Sequence, residues 1–171
     1  GERAVLGKPT ALPCTQDGSK SMARPDRPPN RARSGRAKTI ERGRLAVEEL
    51  ERLEKGRQVF EKLRAGGPAS AASSVMEEMF PEFWRMTQEH LFGEVWSRPG
   101  LALRDRSLIT MAALMVLGRS EELKGHMGYA LNIGISREEI LEMAMHLAHY
   151  AGWPVGVGAL RVAKEVFSAR K

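Results

Sequence analysis

The chain has 171 residues, enough for one domain with a sizeable core, and a formal net charge of +6. Residues 1–44 carry 11 Lys and Arg against 4 Asp and Glu, so the remainder is nearly neutral and no nucleic-acid surface is expected on it. The single cysteine, Cys14, excludes disulfides within the fold, cysteine zinc sites and a dithiol couple, and no apolar run reaches the roughly 18 residues that span a bilayer.

Five of the nine prolines and almost no large apolar residues fall in the basic end, which cannot bury enough surface to offset its ordering entropy. The composition therefore predicts a disordered basic tail over 1–38 and a folded domain over 39–171. Three readings of the tail stay open: an Arg-rich targeting peptide, a basic arm for an anionic partner, or upstream sequence ahead of a start at Met22. The third ranks first. A reducing cytoplasm is the expected location.

Helical periodicity recurs along the rest, and no strand pattern stands out. Residues 39–64 place Leu45, Leu50, Leu53, Val59, Phe60 and Leu63 at near-helical spacing. AGGPASAAS at 65–73 breaks the pattern. A second helical region covers 74–95, nicked at Pro81, and ends at Arg98-Pro99-Gly100. Residues 103–117, apolar on all sides, predict a fully buried central helix stopped by Gly118. Ser120 is expected to cap a helix running to Ile133 before Gly134. Ser136 and Glu139 make a capping box for the next helix, 137 to about 151, and Pro154 suits the first turn of the last, ending near Phe167. The expected architecture is all-α, a compact antiparallel bundle of about six helices. A helix as apolar as 103–117 in so short a chain also points to oligomers.

Glu122 and His126 stand four apart, so on a helix the carboxylate can reach the imidazole. Histidine titrates near neutral pH and a neighbouring carboxylate can fix its tautomer, which makes this pair the leading acid–base candidate. Tyr129 continues its stripe. On the following helix His146 and Tyr150 stack at the margin of the apolar face, while His149 lies further round beside Glu142. The bland alternatives are a surface ion pair for Glu122 and His126, and packing roles for His146, Tyr129 and Tyr150. Arg98, Arg104 and Arg106 are candidates to clamp a carboxylate, with Arg104 read as an interface ion pair. Trp84, Phe92 and Trp96 are candidates for a dry pocket wall.

The segments LFGEVWSRPGL (91–101), EELKGHMGYALNIG (121–134) and HLAHYAGWP (146–154), in this order and spacing, resemble the carboxymuconolactone decarboxylase family. The resemblance covers 40–168. It implies a small all-helical protein, a trimer or hexamer of identical subunits, that removes carbon dioxide from a small carboxylated lactone or related oxo-acid without metal or organic cofactor. In this reading His126 and Glu122 are catalytic, and His146, Tyr150, Tyr129, Arg98, Arg106 and Trp96 bind substrate. A thiol-peroxidase branch of the same superfamily carries a Cys-x-x-Cys pair whose places here hold Arg119 and Glu122, which excludes that chemistry. Gly128 stands where decarboxylases often have Arg, Val157 where they often have Asn, and Ala102 where they often have Asp. The alternative is a non-catalytic helical oligomer that binds a small ligand or a partner protein. A second, lesser alternative has Glu122, His126 and His146 holding a divalent ion.

Overall fold

The computed structural model describes residues 31–67 and 70–170. Its elements are α1 (Arg31–Arg64), α2 (Ala71–Met79), α3 (Pro81–Met86), a π-helical segment π1 (Thr87–Trp96), α4 (Leu103–Val116), α5 (Ser120–Asn132), α6 (Arg137–Ala151) and α7 (Trp153–Ser168). The fold is all-α, with no strand among the described residues. Residues 1–30 of the expected tail lie outside the described residues, and α1 already runs through 31–38.

Local chemistry sets most of the boundaries. Gly118, Gly134 and Gly152 follow the ends of α4, α5 and α6 with φ of 66°, 89° and 99°, where a side chain would be strained. The Ser136–Glu139 capping box forms with both bonds, at 3.1 and 2.8 Å. Ser120, by contrast, is the first residue of α5 and does not cap it: Arg119 holds the cap position and makes no side-chain bond there.

The region predicted as one helix over 74–95 is three pieces. Pro81 has no N–H to continue α2, so Phe80 leaves helical geometry (φ −150°, ψ 78°) and α3 starts afresh. The wider π1 then lies along α1 in backbone contact. A Cβ on Gly56 would sit 1.8 Å from the Gln88 carbonyl oxygen, and one on Gly93 would sit 2.2 Å from the Arg52 carbonyl oxygen. Only glycine at both places allows this approach. Arg52 fastens it from the side, bridging the buried Glu89 at 3.1 Å and Glu94 at 3.1 Å.

Two apolar cores result. One, built by α4 to α7, includes Met111, Met127, Ile135, Ile140 and Val162. The other, between α1, α3, π1 and α5, is aromatic: Phe60, Trp84, Phe92, Trp96 and Tyr129, closed by Leu63. Helix α5 belongs to both, presenting Met127 and Ala130 to the first and Tyr129 to the second. The expectation that 103–117 is wholly buried is corrected. Neighbouring helices cover the side of α4 carrying Ser107, Met111 and Met115, whereas Ile109 and Leu117 are 56% and 69% exposed.

Candidate functional site

His126 sits on α5 at the seam between the two cores. Its ring lies 6.1 Å from Trp96 and 5.9 Å, edge-on, from Tyr129, centroid to centroid. Phe92 packs edge-on against Trp96 at 5.7 Å, and Phe60 against Tyr129 at 5.8 Å, so both walls are themselves held. The imidazole Nδ1 is buried and has no hydrogen-bond partner among the described residues. A buried polar atom left unpaired costs on the order of 1–3 kcal/mol, a cost that points to use. Burial lowers the His126 pKa below its ordinary value, and the charge on Glu122 opposes this more weakly. The ring therefore rests neutral at pH 7.

Glu122 is exposed, and no hydrogen bond or ion pair joins it to His126. The carboxylate acts on the imidazole through its field and does not fix the tautomer directly. Tyr129 is buried and its hydroxyl is engaged: it accepts from the Ser70 backbone N–H at 2.9 Å, with Ser73 Oγ at 3.5 Å. It is a tethered wall of the His126 niche.

The remaining candidates divide between two other places. His146 and Tyr150 are exposed and in ring contact with each other, 4.7 Å between centroids and tilted by 34°. His146 lines a cleft of about 600 Å³ with Arg104, Glu138, Glu139 and Glu142, a set with more acid than base. Arg104 pairs there with Glu139 within the same chain. Glu122, His126 and His146 do not form a metal-holding set, since no group of three or more His, Cys, Asp or Glu among the described residues could hold an ion.

Arg98 is exposed and lines a cleft of about 490 Å³ with Trp96, Lys55, Lys62 and Gln58. Arg106 supports the turn behind it, donating from Nη2 to the Arg98 carbonyl at 3.0 Å. Trp96 thus belongs both to this basic cleft and to the His126 niche. Lys55 and Lys62 were not legible as site residues, because a Glu- and Lys-rich helix reads as a solvated surface. Ser107, 1% exposed with an unpartnered hydroxyl, was hidden in the apolar run of α4.

Residues 81–165, which include π1 and all of α4 to α6, match the model of the carboxymuconolactone decarboxylase family. The chain is 42% identical over 86 residues to a 4-carboxymuconolactone decarboxylase of Acinetobacter baylyi, covering 50% of this chain and 64% of that protein. It is 35% identical over 80 residues to a nitrosuccinic acid decarboxylase of Metarhizium robertsii, covering 47% and 56%. It is also 30% identical over 95 residues to an uncharacterized 15.0 kDa protein of Paracoccus denitrificans, covering 54% and 71%. The chain thus spans less than two thirds of the length of the two named decarboxylases. With the helical fold, the His126 helix inside the matched segment and the similarity to these relatives, the chain belongs to the carboxymuconolactone decarboxylase family.

Proposed function

We propose that the protein is a carboxy-lyase acting on a small carboxylated lactone or related oxo-acid, with His126 as the group that moves the proton. The observation that carries this reading is the half-enclosed imidazole between Trp96 and Tyr129, neutral at rest, with a buried and unpartnered Nδ1. Both named relatives are decarboxylases of small carboxylic acids, which supports the same class of reaction here.

The chemistry follows from the charges. A substrate carboxylate arriving beside the neutral ring adds the negative charge that Glu122 supplies only weakly, so the proton affinity of His126 rises and it takes up a proton. The bond to the carboxyl carbon breaks, carbon dioxide leaves, and the electron pair flows into the substrate's own conjugated carbonyl. The imidazolium then returns its proton to carbon, leaving the ring neutral. The electron sink is the substrate itself, so we propose no metal or organic cofactor. We also propose a homotrimer or homohexamer, supported by the exposed apolar residues Ile109 and Leu117 on α4.

The test is carbon dioxide release from 4-carboxymuconolactone and a panel of oxo-acids by the wild type and by His126→Ala. Loss of about 10²- to 10⁴-fold in kcat, with helical content unchanged, is the expected result for a proton-transfer group. Undiminished turnover in the variant removes His126 from the reaction.

A further inference from the structure

Helix α1 is fixed to the body of the chain along its second half. There the Glu49–Arg85 and Arg52–Glu89 ion pairs and the close approach of Gly56 to Gln88 hold it on π1. Residues 37–47 are exposed at every position, so this stretch stands clear of the chain that forms it. Ile40, Val47 and Leu50 are 65%, 55% and 65% exposed, and their spacing of seven and three sets them on one stripe. A helix in water is held mainly by packing such a stripe, and no described residue covers this one. The stretch is also basic: residues 31–44 carry Arg31, Arg33, Arg36, Lys38, Arg42 and Arg44 against Glu41 alone.

A surface of opposite character lies between α4 and α6. The cleft there, about 600 Å³, has an apolar floor of Leu108, Ala112, Met143 and Leu147. On its rim Arg104 takes Glu139, which leaves Glu138 and Glu142 without an ion pair among the described residues. From Glu138 to Leu147 the α6 side of the cleft rises roughly 14 Å, against roughly 15 Å from Ile40 to Leu50. Stripe and floor therefore agree in length, and the charges beside them are opposite in sign. Helix α1 runs unbroken to Arg64, so its exposed stretch cannot fold back onto the α6 of its own chain.

We propose that the exposed half of α1 from one copy of the chain docks in the α4–α6 cleft of a second copy, with Ile40 and Val47 on the apolar floor and the basic end against Glu138 and Glu142. Helix α1 precedes the family-matched residues 81–165, so one side of this contact comes from outside the matched segment. The contact does not depend on the carboxy-lyase reading, and its test reads no turnover. Hydrogen exchange of the full chain at micromolar concentration is followed by mass spectrometry. In the wild type, amides 38–47 are expected to exchange at least tenfold more slowly than in Glu138→Lys/Glu142→Lys, which keeps the helix intact and alters only two exposed positions of the cleft. Ile40→Asp/Val47→Asp, which keeps the cleft and spoils the stripe, also loses the protection. When the cleft variant is mixed with an excess of this second variant, its α1 regains the slow exchange, because the added chains supply an intact cleft. Amides of α7 stay protected throughout and report the fold. Fast exchange of 38–47 in the wild type, protection that the cleft variant keeps, or no recovery in the mixture overturns the proposal. Protection that appears only when phosphatidylserine vesicles are added overturns it in favour of a lipid surface.

Discussion

Trp96 and His126 lie 6.1 Å apart, ring to ring, and join two helices that are separated in the chain by the whole of α4. The indole ends π1 and the imidazole sits midway along α5. Their contact is the point at which the aromatic core meets the niche that holds an unpartnered Nδ1. Trp96→Ala should therefore act on the site as well as on packing. Removing a buried aromatic costs about 3–5 kcal/mol, and opening the niche to water should return the His126 pKa toward its ordinary value. A proton NMR titration of the imidazole checks the second effect. An unmoved midpoint in a folded variant would show that the indole is not what dries the ring.

The half-buried histidine also makes stability depend on pH. Its folded pKa lies below the unfolded value, so the unfolded chain binds the extra proton first as the solution is acidified. Stability from the neutral ring is fully present above the unfolded pKa of about 6.5 and is lost as pH falls through the folded value. Thermal melts of wild type and His126→Gln should converge on acidification through this window, the wild type losing more. Parallel curves would contradict the burial argument.

Glu122 touches nothing on His126 and yet opposes the fall in its pKa. Glu122→Gln should shift the imidazole midpoint further down, with the difference shrinking in high salt because the carboxylate is exposed and screened. The acid limb of any turnover profile should move in the same direction. A salt-insensitive shift would imply a direct contact instead of a field.

The α1–π1 seam makes a prediction in which sign depends on place. Gly93→Ala puts a Cβ 2.2 Å from a backbone oxygen that cannot step aside, and should cost about 3 kcal/mol or drive α1 off π1. Gly43→Ala, on the same α1 but with nothing within 4 Å, should stabilise by about 0.5–1 kcal/mol through helix propensity alone. Denaturant melts of the two variants separate packing from propensity.

Exposed apolar residues on α4 and at the start of α7, Ile109, Leu117 and Trp153 among them, should be covered in solution by further copies of the chain. Light scattering at micromolar concentration is expected to give a trimer or hexamer. Ile109→Glu should reduce it to smaller species. A monomer in the wild type would leave those residues without a partner and remove the oligomer proposal.

Periodicity and breakers determined much of this protein by themselves. Apolar residues at helical spacing, Pro81, the three glycines after α4, α5 and α6, and the Ser136–Glu139 box act over a few residues, so helix identities and most ends could be read without neighbours. The order of the three motif segments carried the family as well. Which side chains meet was decided only by tertiary structure. The Glu122–His126 spacing allowed a contact, but the half-buried ring turns into the niche while the carboxylate stays exposed, and no bond joins them. His146 and Tyr150 shared a stripe, yet the cleft that His146 lines sets Glu138, Glu139 and Glu142 against the single cation Arg104 on an apolar wall. Lys55 and Lys62 on α1 meet Arg98, more than thirty residues further along the chain, in one cleft because Gly56 and Gly93 let α1 and π1 approach to backbone contact. Helical pattern reports which side of a helix is apolar; it does not report what another helix places against it.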